Sequence, residues 1–396
     1  MPADLDQSSA PASKTKFWND PDKRAILFQI IIVVLVVGTI GHFVSNALTN
    51  LETRGITTGF GFLSQSSGFD ILLTLIPYDA TYTFGHTFVV GLLNTLLVGF
   101  LGVVLATILG FIMGVARLSN NWLISKLAMC YIETFRNIPL LLQIFFWYVA
   151  VLGPLPGPRQ SIEIGSAFLN NRGLYTPAPV FESGFWFVVV AFFAAIALCW
   201  YLVRWNHRRQ DLTGQQFPIF WSSVGILIAV PLVVYFFAGS PMSWDYPELK
   251  GFNFKGGNVI IPELTALLLA LTIYTAAFIA EIVRSGIEAV NKGQTEASHA
   301  LGISNAKTLR LIVIPQALRV IIPPLTSQYL NLIKNSSLAT AIGYPDLVAV
   351  FMGTTLNQTG QAIEIIFMTM AVYLTISLLV SAFMNWYNKI MALAER

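Results

Sequence analysis

Four residues within one apolar stretch have the types and spacing needed to recognise a charged solute. Glu133, Arg136, Leu140 and Gln143 lie three, four and three positions apart, so an unbroken helix would carry them on one stripe. A guanidinium can hold a carboxylate through two parallel hydrogen bonds, which suits Arg136 to a carboxylate-bearing solute. The same spacing lets Glu133 neutralise Arg136 as an internal ion pair, and spacing alone leaves both readings open. Pro139 removes one helical hydrogen bond beside the arginine and loosens the axis there. A second stretch holds Pro323, Pro324, Gln328, Asn331, Lys334, Asn335, Ser336 and Ser337. It is too polar for a helix facing lipid and suits a bundle interior or a solute path. Glu281 and Arg284 repeat the acid-base spacing of three and read as a structural pair. His42, His86, His207 and His299 form no ligand-spaced set. Cys130 and Cys199 each sit in an apolar run and read as small buried hydrophobes, so no metal or cofactor is expected on this chain.

The elements that must position these residues follow from composition. Hydrophobic residues make up 55% of the chain and charged ones only 11%, against about a quarter charged in soluble domains. This is the composition of an integral membrane protein. A hydrocarbon core about 30 Å thick takes about 20 apolar residues per helical crossing, and about eight such runs are present. They cover 25–48, 87–115, 126–152, 185–203, 218–238, 262–287, 314–342 and 361–387. Ala106, Gly110 and Gly114 at helical spacing predict closely packed helices in an all-α fold, not a barrel of alternating strands. The first run is too long for a signal-peptide core and follows the polar segment 1–24 without a small-residue cleavage site, so it reads as a retained helix. Counted from Lys126 at 1.5 Å per residue, Arg136 lies about 15 Å into the membrane, near its midplane.

Lys and Arg fix the orientation, because short cytoplasmic loops retain them. With the amino terminus inside, the cytoplasmic segments take most of the 23 cations, among them Lys23, Arg24, Arg117, Lys126, Arg204, Arg208, Arg209, Lys292, Lys307, Arg310, Lys389 and Arg396. The outer loops keep Arg54, Arg159, Arg172, Lys250 and Lys255. Both termini are therefore expected in the cytoplasm. A net charge of +3 points to no nucleic acid.

One cytoplasmic stretch, "TEASHALGISNAKTLRLIVIP", is polar between two apolar runs. A short helix through Glu296 stops at Gly302, and residues 312–315 return to the membrane. Glu296, Ala297, Gly302, Ile312 and Pro315 match the pattern Glu-Ala, Gly, Ile and Pro at the spacing of the cytoplasmic signature of ABC-importer permeases, which the stretch resembles. Ser298 and Ile314 stand where that family usually has Ala and Leu. The segments "AFIAEIVRSGIEAVNKGQTEASHALGIS", "ETFRNIPLLLQIFF" and "LIKNSSLATAIGYPDL" are similar to the polar amino-acid (histidine/glutamine type) branch. The likeness runs from 87 to 387, and the length is most like the larger general L-amino-acid permease subunits.

The resemblance implies a type I importer core of five helices, with extra helices at 25–48, 185–203 and 218–238. It also implies a coupling loop at 288–313, where Glu296, Ala297, Ser298, Gly302, Ile312 and Pro315 would meet an ATPase. Substrate-path candidates are Glu133, Arg136, Gln143, Gln328, Asn331, Lys334, Asn335 and Ser336. Expected partners are an ABC ATPase dimer carrying ATP and Mg, a second related permease, a periplasmic amino-acid-binding protein and the lipid of a bacterial inner membrane. The chain has no G-x-x-x-x-G-K-[ST] phosphate loop, so ATP hydrolysis would fall to another subunit. The expected function is import of polar L-amino acids as a transport subunit, not an enzyme. A self-contained secondary transporter or channel also fits charges at membrane depth and broken helices. The outer loops 49–86, 153–184 and 239–261, rich in Gly, Pro and aromatics, could shape a surface for the delivering protein.

Overall fold

The computed structural model describes Trp18 and residues 21–53, 55, 58–215 and 217–391. Most of the segment 1–24, with Arg54 and Arg396, lies outside the described residues. The small residues singled out in the sequence explain the closest helix contact. On α2 (Phe84–Arg117) a Cβ at Gly110 would meet Ile279 at 2.6 Å, and one at Gly114 would meet Val283 at 2.7 Å. Those partners belong to α7 (Pro262–Glu288), whose Ala266, Leu267, Ala270, Leu271, Ala276, Ala277, Ile279, Ala280 and Val283 are all 0% exposed. In lipid there is little hydrophobic drive between helices, so close backbone approach supplies the attraction. Further along, Gly102 faces Leu332 of α9 (Asn305–Ile342), with a Cβ-to-side-chain gap of 3.0 Å.

Among the other helices are α1 (Pro21–Thr53), α3 (Trp122–Asn137), α4 (Leu140–Leu152), α5 (Phe185–Thr213), α6 (Ile219–Phe237), α8 (Lys292–Ala300) and α10 (Ala362–Met391). Among the described residues seven helices are long and apolar enough to cross a membrane, and α3 with α4 as one bent span makes eight. Every expected apolar run thus lies on helix. The third is not one straight rod, however, because α3 and α4 meet at 106°. The cause is local: Ile138 precedes Pro139 and is driven to an extended ψ of 127°. Gln143 closes the break, donating from Nε2 to the Phe135 carbonyl at 3.1 Å and the Ile138 carbonyl at 3.0 Å. The stripe expected from Glu133 through Gln143 is therefore interrupted.

No residue in the membrane stretch of α1 is buried, whereas α5 and α6 pack on each other as an antiparallel hairpin. Cys199 is buried there, its thiol 3.6 Å from the Ser223 carbonyl. Cys130 corrects the reading of both cysteines as buried, because its side chain is exposed on α3.

The loops on the far side from α8 are more ordered than the sequence suggested. They hold eight short strands: β1 (Ile162–Ile164), β2 (Ala167–Asn170), β3 (Gly173–Thr176), β4 (Ala178–Phe181), β5 (Met242–Asp245), β6 (Glu248–Lys250), β7 (Asn253–Lys255) and β8 (Asn258–Ile260). All pair antiparallel, in the orders β1-β2-β3-β8, β4-β5 and β6-β7. Tyr175 opposite Val259 joins the loop before α5 to the loop after α6. Phe254 stacks on Phe168 at 4.6 Å and lies 5.0 Å from Tyr175, giving this cap a small core. The helical body is as expected, with a β cap added on top.

Candidate functional site: the knob helix and the candidate path

The short helix α8 starts a turn earlier than expected, because Asn291 caps it by accepting the Gly293 N–H at 2.8 Å. It stops where the sequence indicated. Gly302 has φ +73°, and the N–H groups of Gly302 and Ile303 reach back to His299 and Ser298 carbonyls. That left-handed closure satisfies orphan carbonyls and favours glycine. Glu296 and Ala297 point outward and Leu301 is 78% exposed. Ser298 turns inward, 2% exposed, with its hydroxyl 2.5 Å from that of Thr308. Gln316 donates to Gln294 at 3.4 Å, tying α8 to α9. Ile312 and Pro315 are half-buried in the first turns of α9. Five of the six residues expected at the coupling loop thus surround a firmly seated knob, and the sixth, Ser298, anchors it from beneath.

Beside the knob, Arg284 clasps Glu281 through Nε at 3.1 Å and Nη2 at 2.6 Å, and reaches Glu288 at 2.5 Å. This is the structural pair that the spacing predicted.

The path candidates divide. Arg136 lies over the ring of Phe278, 5.3 Å from its centroid, and its Nε is buried without a hydrogen-bond partner among the described residues. Phe278 precedes the end of α7 by ten residues, so it sits about 15 Å from that end, at membrane depth. Glu133 is exposed and, among the described residues, is not within ion-pair distance of Arg136. The internal ion pair held open by the sequence is therefore absent. Gln143 is 3% exposed and its Nε2 is engaged at the helix break, while its Oε1 is buried without a hydrogen-bond partner among the described residues. On α9, Asn331 and Lys334 are exposed and continue a stripe with exposed Ser327 at spacings of four and three. Gln328 and Asn335 are half-buried, while Ser336 is 1% exposed and donates to the Ile333 carbonyl at 2.7 Å.

Sequence reasoning missed a polar joint at the end of α9 far from α8. Asn94 is 0% exposed and donates to the carbonyls of Leu73 and Pro345, each at 2.8 Å. Tyr344 donates to the Asn94 carbonyl at 3.0 Å, and Leu347 N–H donates to Thr95 Oγ1 at 3.0 Å. Asp346, 0% exposed, accepts the Ala349 N–H at 2.8 Å and the Tyr373 hydroxyl at 3.4 Å. The signal was available: an Asp directly before an apolar run is a helix-start residue.

Comparison with known proteins agrees with this architecture. Residues 204–392 match the family described as binding-protein-dependent transport system inner membrane component. A protein of Escherichia coli (strain K12), YhdX, provisionally named an amino-acid ABC transporter permease, is 57% identical over 95% of this chain and 96% of its own. The general L-amino acid transport system permease protein AapQ of Rhizobium johnstonii is 51% identical over 95% of this chain and 94% of its own. The glutamate/glutamine/aspartate/asparagine transport system permease protein BztB of Rhodobacter capsulatus is 44% identical, covering 94% and 95%. Identity of this order along nearly the whole length, on a multi-helix membrane body, means that the chain belongs to the amino-acid ABC transporter permeases, a multi-pass transport subunit whose ATPase is a separate chain.

Proposed function

We propose that this chain forms one wall of the translocation path for polar L-amino acids in an ATP-driven importer of a bacterial inner membrane. Its partner across the path is a second, related permease. The observation that carries this reading is the stripe of Ser327, Asn331 and Lys334, exposed on a helix at membrane depth. Polar and charged groups facing lipid are costly, so another membrane chain or a water-filled path covers them. Arg136, beside Phe278 and with its Nε lacking a hydrogen-bond partner among the described residues, offers the complementary carboxylate site. The names of the relatives, which include a general L-amino acid system and a glutamate, glutamine, aspartate and asparagine system, support the substrate class.

The ATPase dimer, which holds the ATP and Mg, docks on the face of α8 that carries Glu296, Ala297 and Leu301. A periplasmic binding protein delivers substrate at the opposite end of α7. The importer core comprises α2, α3 with α4, α7, α9 and α10; α1, α5 and α6 are additions, and both termini lie in the cytoplasm. Purifying the complex through a tag on this chain tests the partner assignment. Two distinct permeases together with a P-loop ATPase are expected, and a homodimer of this chain with the ATPase would overturn the second-permease reading.

A further inference from the structure

The cap carries a cluster that the transport path does not use. Phe252 is 74% exposed on a turn between β6 and β7, and two arginines from the loop before α5 converge on it. The Arg159 guanidinium lies over the Phe252 ring, 4.9 Å from its centroid, and Arg172 donates from Nη1 to the Phe252 carbonyl at 3.3 Å. With Gln160 they line one open pocket.

The cluster is built, not incidental. Asn170, 1% exposed, donates to Ser161 Oγ at 3.0 Å and accepts the Arg172 N–H at 2.8 Å. Ser161 in turn donates to the Pro158 carbonyl at 2.8 Å, so one buried amide fixes the backbone beneath both arginines. Neither guanidinium has a carboxylate partner among the described residues. Two acids of the cap are engaged elsewhere: Glu248 with Lys250 at 3.0 Å, and Asp245 with the Gly257 N–H at 2.9 Å. Two oriented guanidinium groups without an acid, placed on the side of the membrane where this chain keeps few cations, call for an external carboxylate.

We propose that Arg159, Arg172 and Phe252 form a carboxylate-recognition site filled by an acidic side chain of the delivering binding protein; this rests on the importer reading above. Exposed Phe flanked by Arg is the composition of a protein-protein contact centre. A free amino acid would be held in a deeper, more enclosed site. The position also suits signalling through the fold. β8 runs straight into α7, a helix of 27 residues, and α8 follows its other end. Docking on the cap therefore acts on the helix whose far end, about 40 Å away, carries the knob.

The test uses the whole complex in lipid nanodiscs, with its ATPase and partner permease. The probe is a binding protein chosen because, loaded with its amino acid, it stimulates ATP hydrolysis by the wild-type complex. Arg159→Gln with Arg172→Gln should raise the binding-protein concentration for half-maximal stimulation by about tenfold at low salt, leaving basal and maximal rates unchanged. Raising the salt should shrink the difference between variant and wild type. Arg172→Glu should be rescued by a Lys replacing an acidic surface residue of the binding protein. An unchanged half-maximal concentration overturns the proposal. So does an effect seen only with anionic lipid, or a shift in the amino-acid requirement at saturating binding protein, since these place a lipid headgroup or free substrate in the pocket. If no binding protein stimulates the wild-type complex, the importer reading itself fails, and the cap site falls with it.

Discussion

Ser298 departs from the alanine usual in the family signature, and the geometry supplies the reason. Its hydroxyl and that of Thr308 satisfy each other in a nearly dry contact beneath α8. Ser298→Ala would leave the Thr308 hydroxyl buried and unpaired, at a cost of about 1–2 kcal/mol, whereas Ser298→Ala with Thr308→Val removes both polar groups and should recover much of it. Thermal unfolding of the purified subunit in detergent measures the difference; equal losses in the single and double variants would contradict the pairing. Arg136 calls for a different comparison. Because Glu133 stands apart from it, Glu133→Gln should lower amino-acid uptake less than a change at Arg136 does. Arg136→Lys keeps the charge but loses the planar fork, and should lower uptake at normal complex yield. Equal losses for the two variants would restore the ion-pair reading and remove Arg136 from the path. Gly302 and Arg284 were legible because each rests on a local rule, a helix stop and a spacing of three. Asp346 was equally local and simply not read.

Among the elements, the bend between α3 and α4 shows where periodicity misleads. A helical wheel treats residues 133–143 as one rod, yet the residue before a proline avoids the helical region, and here that preference wins. Apolar content cannot reveal such a break, since both halves are equally greasy. What stabilises it is Gln143, whose Nε2 bridges the two carbonyls across the break. Gln143→Leu would strand the Phe135 and Ile138 carbonyls in a low-dielectric interior. The expected loss is about 2 kcal/mol of stability, visible as a lower unfolding temperature in detergent, with Gln143→Glu retaining less function than Gln143→Asn. A neutral Gln143→Leu would mean that the break holds without the amide. The contact of α2 with α7 was readable because Gly110 and Gly114 encode close approach directly. The cap strands were not, since runs of three or four residues are too short to show an alternation.

At the scale of the molecule, hydropathy marked the membrane body, and one polar stretch between apolar runs pointed to the transport class. The long central helix α7 joins the two ends, with a woven cap before it and the knob helix after it. This layout fits the proposed importer, in which a binding protein docks on the cap and an ATPase on the knob. The most direct test is uptake of radiolabelled glutamate and glutamine into proteoliposomes holding this chain, its partner permease, the ATPase and the binding protein. Uptake should require internal or external ATP on the ATPase side, vanish when the ATPase is left out, and fall with Gly302→Val while the complex still assembles. Uptake by this chain without the ATPase, driven by an ion gradient alone, would contradict the account.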